Sequence, residues 1–246
     1  LGPRTAAMLA PYNGEPQNLG SLFINSKELL GIGKNAARHG LNMAVHAIGD
    51  RANREALNAF EQLRKFENEN QYPRLRHRME HLQLLHPEDV KRVAQLGLIA
   101  SMQPIHAVSD IIPAERYWGE RATFAYAWKS QLQQGAVVAF GSDAPVESPN
   151  PFWGIHAAMT RRRWDGYPAA EGWHPQERLS LVEALWAYTI GAAYAAGMEN
   201  KVGKLQPGYW ADIIVLEKNP FDCEVDEIKD LHPAATMVGG EWVWKQ

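Results

Sequence analysis

The sequence has almost no cysteine. Cys223 is the single one in 246 residues, so no disulfide can form within the chain, and a reducing, cytoplasmic setting is expected. No run approaches the roughly 18 apolar residues of a membrane span, and no secretory leader is visible, so no membrane partner is expected. Charge of either sign is nearly balanced: 25 Lys and Arg against 28 Asp and Glu give a net charge of −3. That removes any electrostatic argument for a nucleic-acid partner. There is no internal repeat and no low-complexity linker. His-x-His is absent throughout, as is the compact His-Glu-x-x-His metal motif. The chain also begins with Leu1 rather than Met, which sets the expectation of a fragment or a processed product.

What is present is a rhythm of short apolar runs and amphipathic helices. With 46% hydrophobic and 22% charged residues, the composition is that of a soluble globular chain able to bury a sizeable core. The stretch Leu1 to Asn25, rich in Gly, Pro and Asn, reads as an irregular loop. Ser26 is read as the N-cap of a helix over Lys27 to His39, stopped at Gly40. Leu41 to His46 reads as a buried strand. Asp50 is read as the cap of the next helix, Arg51 to Glu67, whose Ala56, Leu57, Phe60 and Leu63 recur at helical spacing. Leu75 to Leu82 is a second, unusually charged strand. Pro87 then opens a helix to Leu96, stopped at Gly97.

Leu98 to Gln103 is a third strand, ended by Pro104. A long loop from Pro104 to about Glu120 is expected, of the kind that forms lids or substrate walls. A helix over about Phe124 to Gln134 leads into Gly135 to Phe140, a fourth strand. Strands alternating with helices predict an α/β fold with parallel strands and right-handed crossovers. Beyond it, Asn150-Pro151 opens a helix ending near Arg161-Arg162-Arg163, a run read as a solvated helix end favoured by the macrodipole rather than as an anion site. Ser180-Leu181-Val182-Glu183 is a capping box before an alanine-rich helix reaching about Ala196. From Gly203 the pattern changes: Trp210 to Leu216 reads as a strand, and Ala235 to Lys245 as a hairpin turning at Gly239-Gly240.

In parallel α/β folds, chemistry gathers where strands end at their carboxyl edge. His46 ends the first strand, His81 the second, and Asp143 follows the fourth in Gly141-Ser142-Asp143-Ala144-Pro145. Taken singly, Asp143 reads as a turn cap, and each histidine as a surface or hydrogen-bonded residue. Taken together, two imidazoles and a carboxylate suit zinc or another first-row divalent ion. Of the other histidines, only His106 is placed to touch a substrate.

Val45-His46-Ala47-Ile48-Gly49-Asp50-Arg51-Ala52, Arg76-His77-Arg78-Met79-Glu80-His81 and Gly141-Ser142-Asp143-Ala144-Pro145 resemble the fifth, sixth and eighth barrel strands of the amidohydrolase superfamily. The likeness is to the amidohydrolase family 3 branch, which includes N-substituted formamide deformylase. Ser101 to His106 resembles the seventh strand and its loop, and Gly203 to Leu216 is similar to the segment leading into that family's small β-sandwich. The resemblance implies an α/β fold: the C-terminal half of a TIM (β/α)₈ barrel, strands 5 to 8, over residues 1–202, with strands of a small β-sandwich over 203–246. It implies a metal-dependent hydrolase cutting an amide or other C–N bond of a small molecule, with one or two divalent ions, zinc foremost, iron and manganese remaining open. His46, His81 and Asp143 would be metal ligands. Asp143 would take a proton from the metal-bound water and pass it to the leaving nitrogen. Arg4, in Leu1-Gly2-Pro3-Arg4-Thr5-Ala6, matches the loop after the family's fourth strand and is expected, with His106, to contact substrate.

The family pattern also requires a His-x-His pair on the first strand and a lysine or glutamate on the fourth, which this sequence does not contain. The expectation is of a half barrel, inactive alone, that pairs with a second copy or with the absent half. Two rival functions follow. A deaminase of the same superfamily would carry a glutamate shortly after the fifth-strand histidine, where this chain has Ala47-Ile48-Gly49-Asp50. A non-catalytic fragment would bind a partner through a face served by some of the nine tryptophans.

Overall fold

The computed structural model describes residues 4–246. It divides into two compact units: the residues up to Met102 with Asp110–Val138, and Gln103–Ser109 with Ala139–Gln246.

The first unit holds α1 (Ser26–Arg38), β1 (Ala44–Ala47), α2 (Asp50–Glu69), β2 (Arg78–His81), a 3₁₀ turn (Pro87–Asp89), α3 (Arg92–Gln95) and β3 (Ile99–Met102). After β3 the chain forms α4 (Pro104–Ser109), which belongs to the second unit. It then returns through α5 (Ile111–Trp118), a 3₁₀ turn (Gly119–Phe124) and α6 (Trp128–Gln133) to β4 (Val137–Phe140). The strands lie in the order β1-β2-β3-β4, with β1 and β3 both parallel to β2. This is the alternating α/β pattern expected from the sequence.

α1 packs on α2 because Leu29, Gly33 and Ala37 line one face of it. A Cβ on Gly33 would stand 2.9 Å from Leu63 Cδ2 and 3.0 Å from Met43 Sδ, so the bare glycine sets how closely the helices approach. The expected face of α2 is buried at Ala56, Leu57, Phe60 and Leu63.

Two caps differ from expectation. α1 is capped one residue earlier, by Asn25, whose Oδ1 accepts from the Lys27 and Glu28 amides while Glu28 reaches back to the Asn25 N–H. Asn25 has the extended backbone a cap needs, and the Ser26 amide is taken by Glu55 at 2.8 Å. α2 is entered from Gly49 without a side-chain cap. Asp50 instead accepts from the amides of Leu9 (2.8 Å) and Arg51 (2.9 Å). The Ala7 carbonyl supplies the rest, taking the Arg51 and Ala52 amides at 3.2 and 3.3 Å, and a Cβ at residue 49 would lie 2.1 Å from it.

The stretch 104–120, expected as a loop, is helical. Ile105, Val108, Ile111, Ala114 and Trp118 are buried at helical spacing, and Pro104 sits at the first helical position where its missing N–H costs nothing. Asp110 interrupts the run and Pro113 disguises it.

At the amino end of β2, His77 is fully buried. Its Nδ1 accepts from the Met43 amide at 3.0 Å, so the ring proton is on Nε2, which donates to Glu67 Oε1 at 2.8 Å. Glu67 Oε2 holds Arg64 at 2.7 Å, and Arg64 reaches the Leu96 and Gly97 carbonyls at 2.9 and 3.3 Å.

The second unit contains α4, α7 (Pro151–Thr160), a 3₁₀ turn (Pro175–Glu177), α8 (Leu181–Trp186), a π-helical turn (Ala187–Gly191), α9 (Ala192–Ala195), β5 (Ile213–Leu216), a 3₁₀ turn (Val225–Asp230), β6 (Pro233–Val238) and β7 (Glu241–Lys245). Asn150 caps α7 as Asn-Pro implied, and Ser180 with Glu183 forms the expected capping box. β5, β6 and β7 make an antiparallel sheet, turning at Gly239-Gly240, both at positive φ.

The arginine run is not a solvated helix end. Arg161 is fully buried, donates through Nε to the Trp173 carbonyl at 2.8 Å and lies 5.0 Å from the centre of that indole. Packing under Trp173 outweighs exposure to the helix end because the guanidinium finds both an acceptor and an aromatic face there. Arg162 pairs with Asp226, and Arg163 with Asp165.

Three histidines are held below the ordinary imidazole range by burial: His77, His156 and His174. His174, with Arg161 adding to the effect of burial, is pushed down to about 4. The unfolded chain, with imidazoles near 6.5, binds more protons below that pH than the folded one. Stability is therefore full above about pH 6.5 and is lost as pH falls towards 4. Urea midpoints should drop between pH 7.5 and 5.5 and flatten in His174→Gln; a profile unchanged by that substitution would contradict the assignment.

Candidate functional site

In the first unit, His46 is the third residue of β1 and His81 the last of β2. The parallel register pairs His46 with Glu80 and Ala47 with His81, so the two rings meet edge to face with centroids 4.5 Å apart. His81 and Leu82 both take positive φ, +76° and +48°, a conformation branched or bulky side chains avoid. Two such residues in succession turn the chain sharply out of β2. Backbone strain of this kind gathers at functional positions. His46 also lines a cavity of about 160 Å³ with Thr5, Leu22, Phe23, Val45 and Ile48.

In the second unit, Asp143 follows β4 at φ +58°, and its carbonyl accepts from the Val146 amide at 2.8 Å. Its Oδ2 lies 3.4 Å from His106 Nε2. His106 is buried on α4, and its Nδ1 stands 3.8 Å from Glu147 Oε1. Each unit thus holds side chains of donor type: two imidazoles in contact in one, a carboxylate beside an imidazole in the other. Nitrogen and carboxylate donors of this kind fit a first-row divalent ion.

Arg4, expected at the substrate, is ion-paired with Glu15 and lies 5.2 Å from the centre of the Tyr117 ring. It is not among the residues lining the cavity beside His46.

The family model for "Amidohydrolase family" matches residues 1–244. The chain belongs to the amidohydrolase family. Among the relatives of this amidohydrolase-family chain, Protein LONG AFTER FAR-RED 3 of Arabidopsis thaliana is 35% identical, over 99% of this chain and 41% of that protein. The putative amidohydrolase YtcJ of Bacillus subtilis is 34% identical, over 100% and 45%. The N-substituted formamide deformylase of Arthrobacter pascens is 27% identical, over 93% and 41%. The crystal structure of an uncharacterized metal-dependent hydrolase from Pyrococcus horikoshii superposes with a TM-score of 0.79 at 31% identity, covering 91% of this chain and 44% of that one. The chain therefore spans under half the length of these relatives. The resemblance read from the strand-end motifs is confirmed by the family match and by these relatives.

Sequence reasoning missed three residues of the second unit. His156 is buried on α7, with Nε2 3.0 Å from Asp226 Oδ1. Arg162 donates to the same oxygen at 2.7 Å. Glu147 had no motif to flag it. Only the charge of residues near Asp143, read alongside His106, offered a signal. Among the described residues, no helix is long and apolar enough to cross a membrane.

Proposed function

We propose that this chain is the C-terminal half of a (β/α)₈-barrel hydrolase, residues 1–202, followed by strands of a small β-sandwich, 203–246, and that it cuts an amide or related C–N bond. The observation carrying this reading is that the strand ends His46, His81 and Asp143 each sit in a strained or paired setting, on a chain of the amidohydrolase family. His46, His81 and Asp143 would hold zinc, as one ion or one of two. A bound divalent ion supplies Lewis acidity and acidifies water. Asp143 accepts a proton from the attacking water and returns it to the leaving nitrogen. His106, beside Asp143, would touch substrate; Arg4 would do so only by releasing Glu15.

The deformylase relative makes an N-substituted formamide the first substrate to try. Cytoplasmic action and pairing with a second copy belong to the same proposal. The deaminase alternative gains no support, because Asp50, the acid after His46, is taken by the Leu9 and Arg51 amides.

The test is metal content by plasma emission, with formamide hydrolysis measured on the chain alone and with the amino-terminal part of the Bacillus relative added. Near-stoichiometric zinc is expected, falling by more than half in His81→Ala and in His46→Ala. No metal in any form, with no hydrolysis in either mixture, would sink the reading.

A further inference from the structure

The second unit contains a cavity of about 150 Å³ walled by Trp153, Trp164, Arg162, Arg163, Lys229 and Glu147, with Ile105 and Val108 of α4 along one side. A cavity of this size holds one six-membered ring. Trp164 is 70% exposed and Trp153 is also exposed, so two indoles stand open to a ligand with little to cover them.

The three cations all have carboxylate partners, but the partners are unequal. The Arg162 side chain is 14% exposed against 59% for Asp226, and Lys229 22% against 71% for Asp230. The basic groups are thus fixed in the wall while two of their acids lie out in water, where such pairs are weak and readily exchanged. Arg162 uses Nη2 on Asp226, while its Nε is buried with no acceptor among the described residues. Burial holds the His156 imidazole below its usual range, and its Nε2 lies 3.0 Å from Asp226 Oδ1. Among the described residues Glu147 is the single acid lining the cavity, and its Oε1 lies 3.8 Å from His106 Nδ1, whose Nε2 faces Asp143.

We propose that this cavity is a carboxylate-selective subsite, taking a substrate that carries an aromatic ring and a carboxylate beside the bond that is cut. Trp153 and Trp164 receive the ring, and Arg162 with Lys229 receives the carboxylate. The assignment of substrate, though not of binding, rests on the hydrolase reading of Asp143. Glu147 guards the exit towards His106, so a second anionic group on the reacting side is disfavoured.

The experiment is calorimetric titration of the full 246-residue chain with phenylacetate and with phenylacetamide, which differ only in the charged group. Phenylacetate should bind at least about tenfold more tightly, as expected for a charge-assisted contact. Arg162→Met and Lys229→Met should each reduce that preference by about threefold or more. Trp164→Ala, at an exposed position that folding does not depend on, should weaken both probes alike. Equal binding of the two probes, no binding of either, or a preference surviving in both Met variants would overturn the proposal. Neither titration needs turnover or metal. Discrimination with neither metal nor hydrolysis would thus remove only the hydrolase reading, and formamide hydrolysis without discrimination would remove only this subsite.

Discussion

On the proposed hydrolase reading, Asp143→Asn should lower the rate of amide hydrolysis by about 10²- to 10⁴-fold, the range a positioned general acid–base contributes. Asn keeps the size of the side chain and tolerates the left-handed backbone at φ +58°. What it removes is the capacity to accept and return a proton. The Asp143 side chain is 42% exposed and its Oδ2 lies 3.4 Å from His106 Nε2, too long for a strong hydrogen bond, so the fold loses little. Single-turnover rates for an N-substituted formamide, in whichever mixture turns over, give the magnitude, and a thermal melt of the variant checks the fold. A variant keeping more than about a tenth of the rate would remove Asp143 from the proton path.

Glu67→Ala should destabilise the first unit by about 3–5 kcal/mol, the cost of removing one partner from a buried ion pair. Glu67 is almost completely buried and spends both oxygens, one on His77 at 2.8 Å and one on Arg64 at 2.7 Å. Without it the Arg64 charge stays inside with only the Leu96 and Gly97 carbonyls, and the His77 Nε2 proton has no acceptor. Glu67→Gln keeps an acceptor for His77 and loses only the charge, so it should cost less than Ala. Urea unfolding of both variants measures the difference. A loss under about 1 kcal/mol for Ala would mean that water or a rearranged partner satisfies the pair.

The parts of this structure that could be read in advance are those with local causes. β4 was visible because an apolar, β-branched run lies between Gly135 and Gly141. The hairpin β6–β7 was visible because two glycines supply the positive φ its turn requires. His46, His81 and Asp143 could be placed near strand ends because each strand-like run stops at a turn beside them. What could not be read had distant causes. Arg161 is buried by an indole twelve residues on. His156 meets an acid seventy residues away. Asn25 outcompetes Ser26 as a cap because Glu55, on another helix, takes the Ser26 amide. Helices α4 and α5 escaped notice because Asp110 and Pro113 break a periodic pattern that tertiary burial restores.

The junction at Gly49 and Asp50 bears on the order in which the chain folds. The donors at the start of α2 are satisfied by Ala7 and held in register by Leu9, across a separation of 41 residues that contains α1 and β1. Closing a loop of that length costs entropy that only later contacts repay. The body of α2 can form on α1 through their shared face, but its first turn is completed only when the amino-terminal segment returns. The beginning of the helix is thus among the last pieces of the first unit to set. Residue 49 stays glycine so that the returning strand of backbone still has room to arrive.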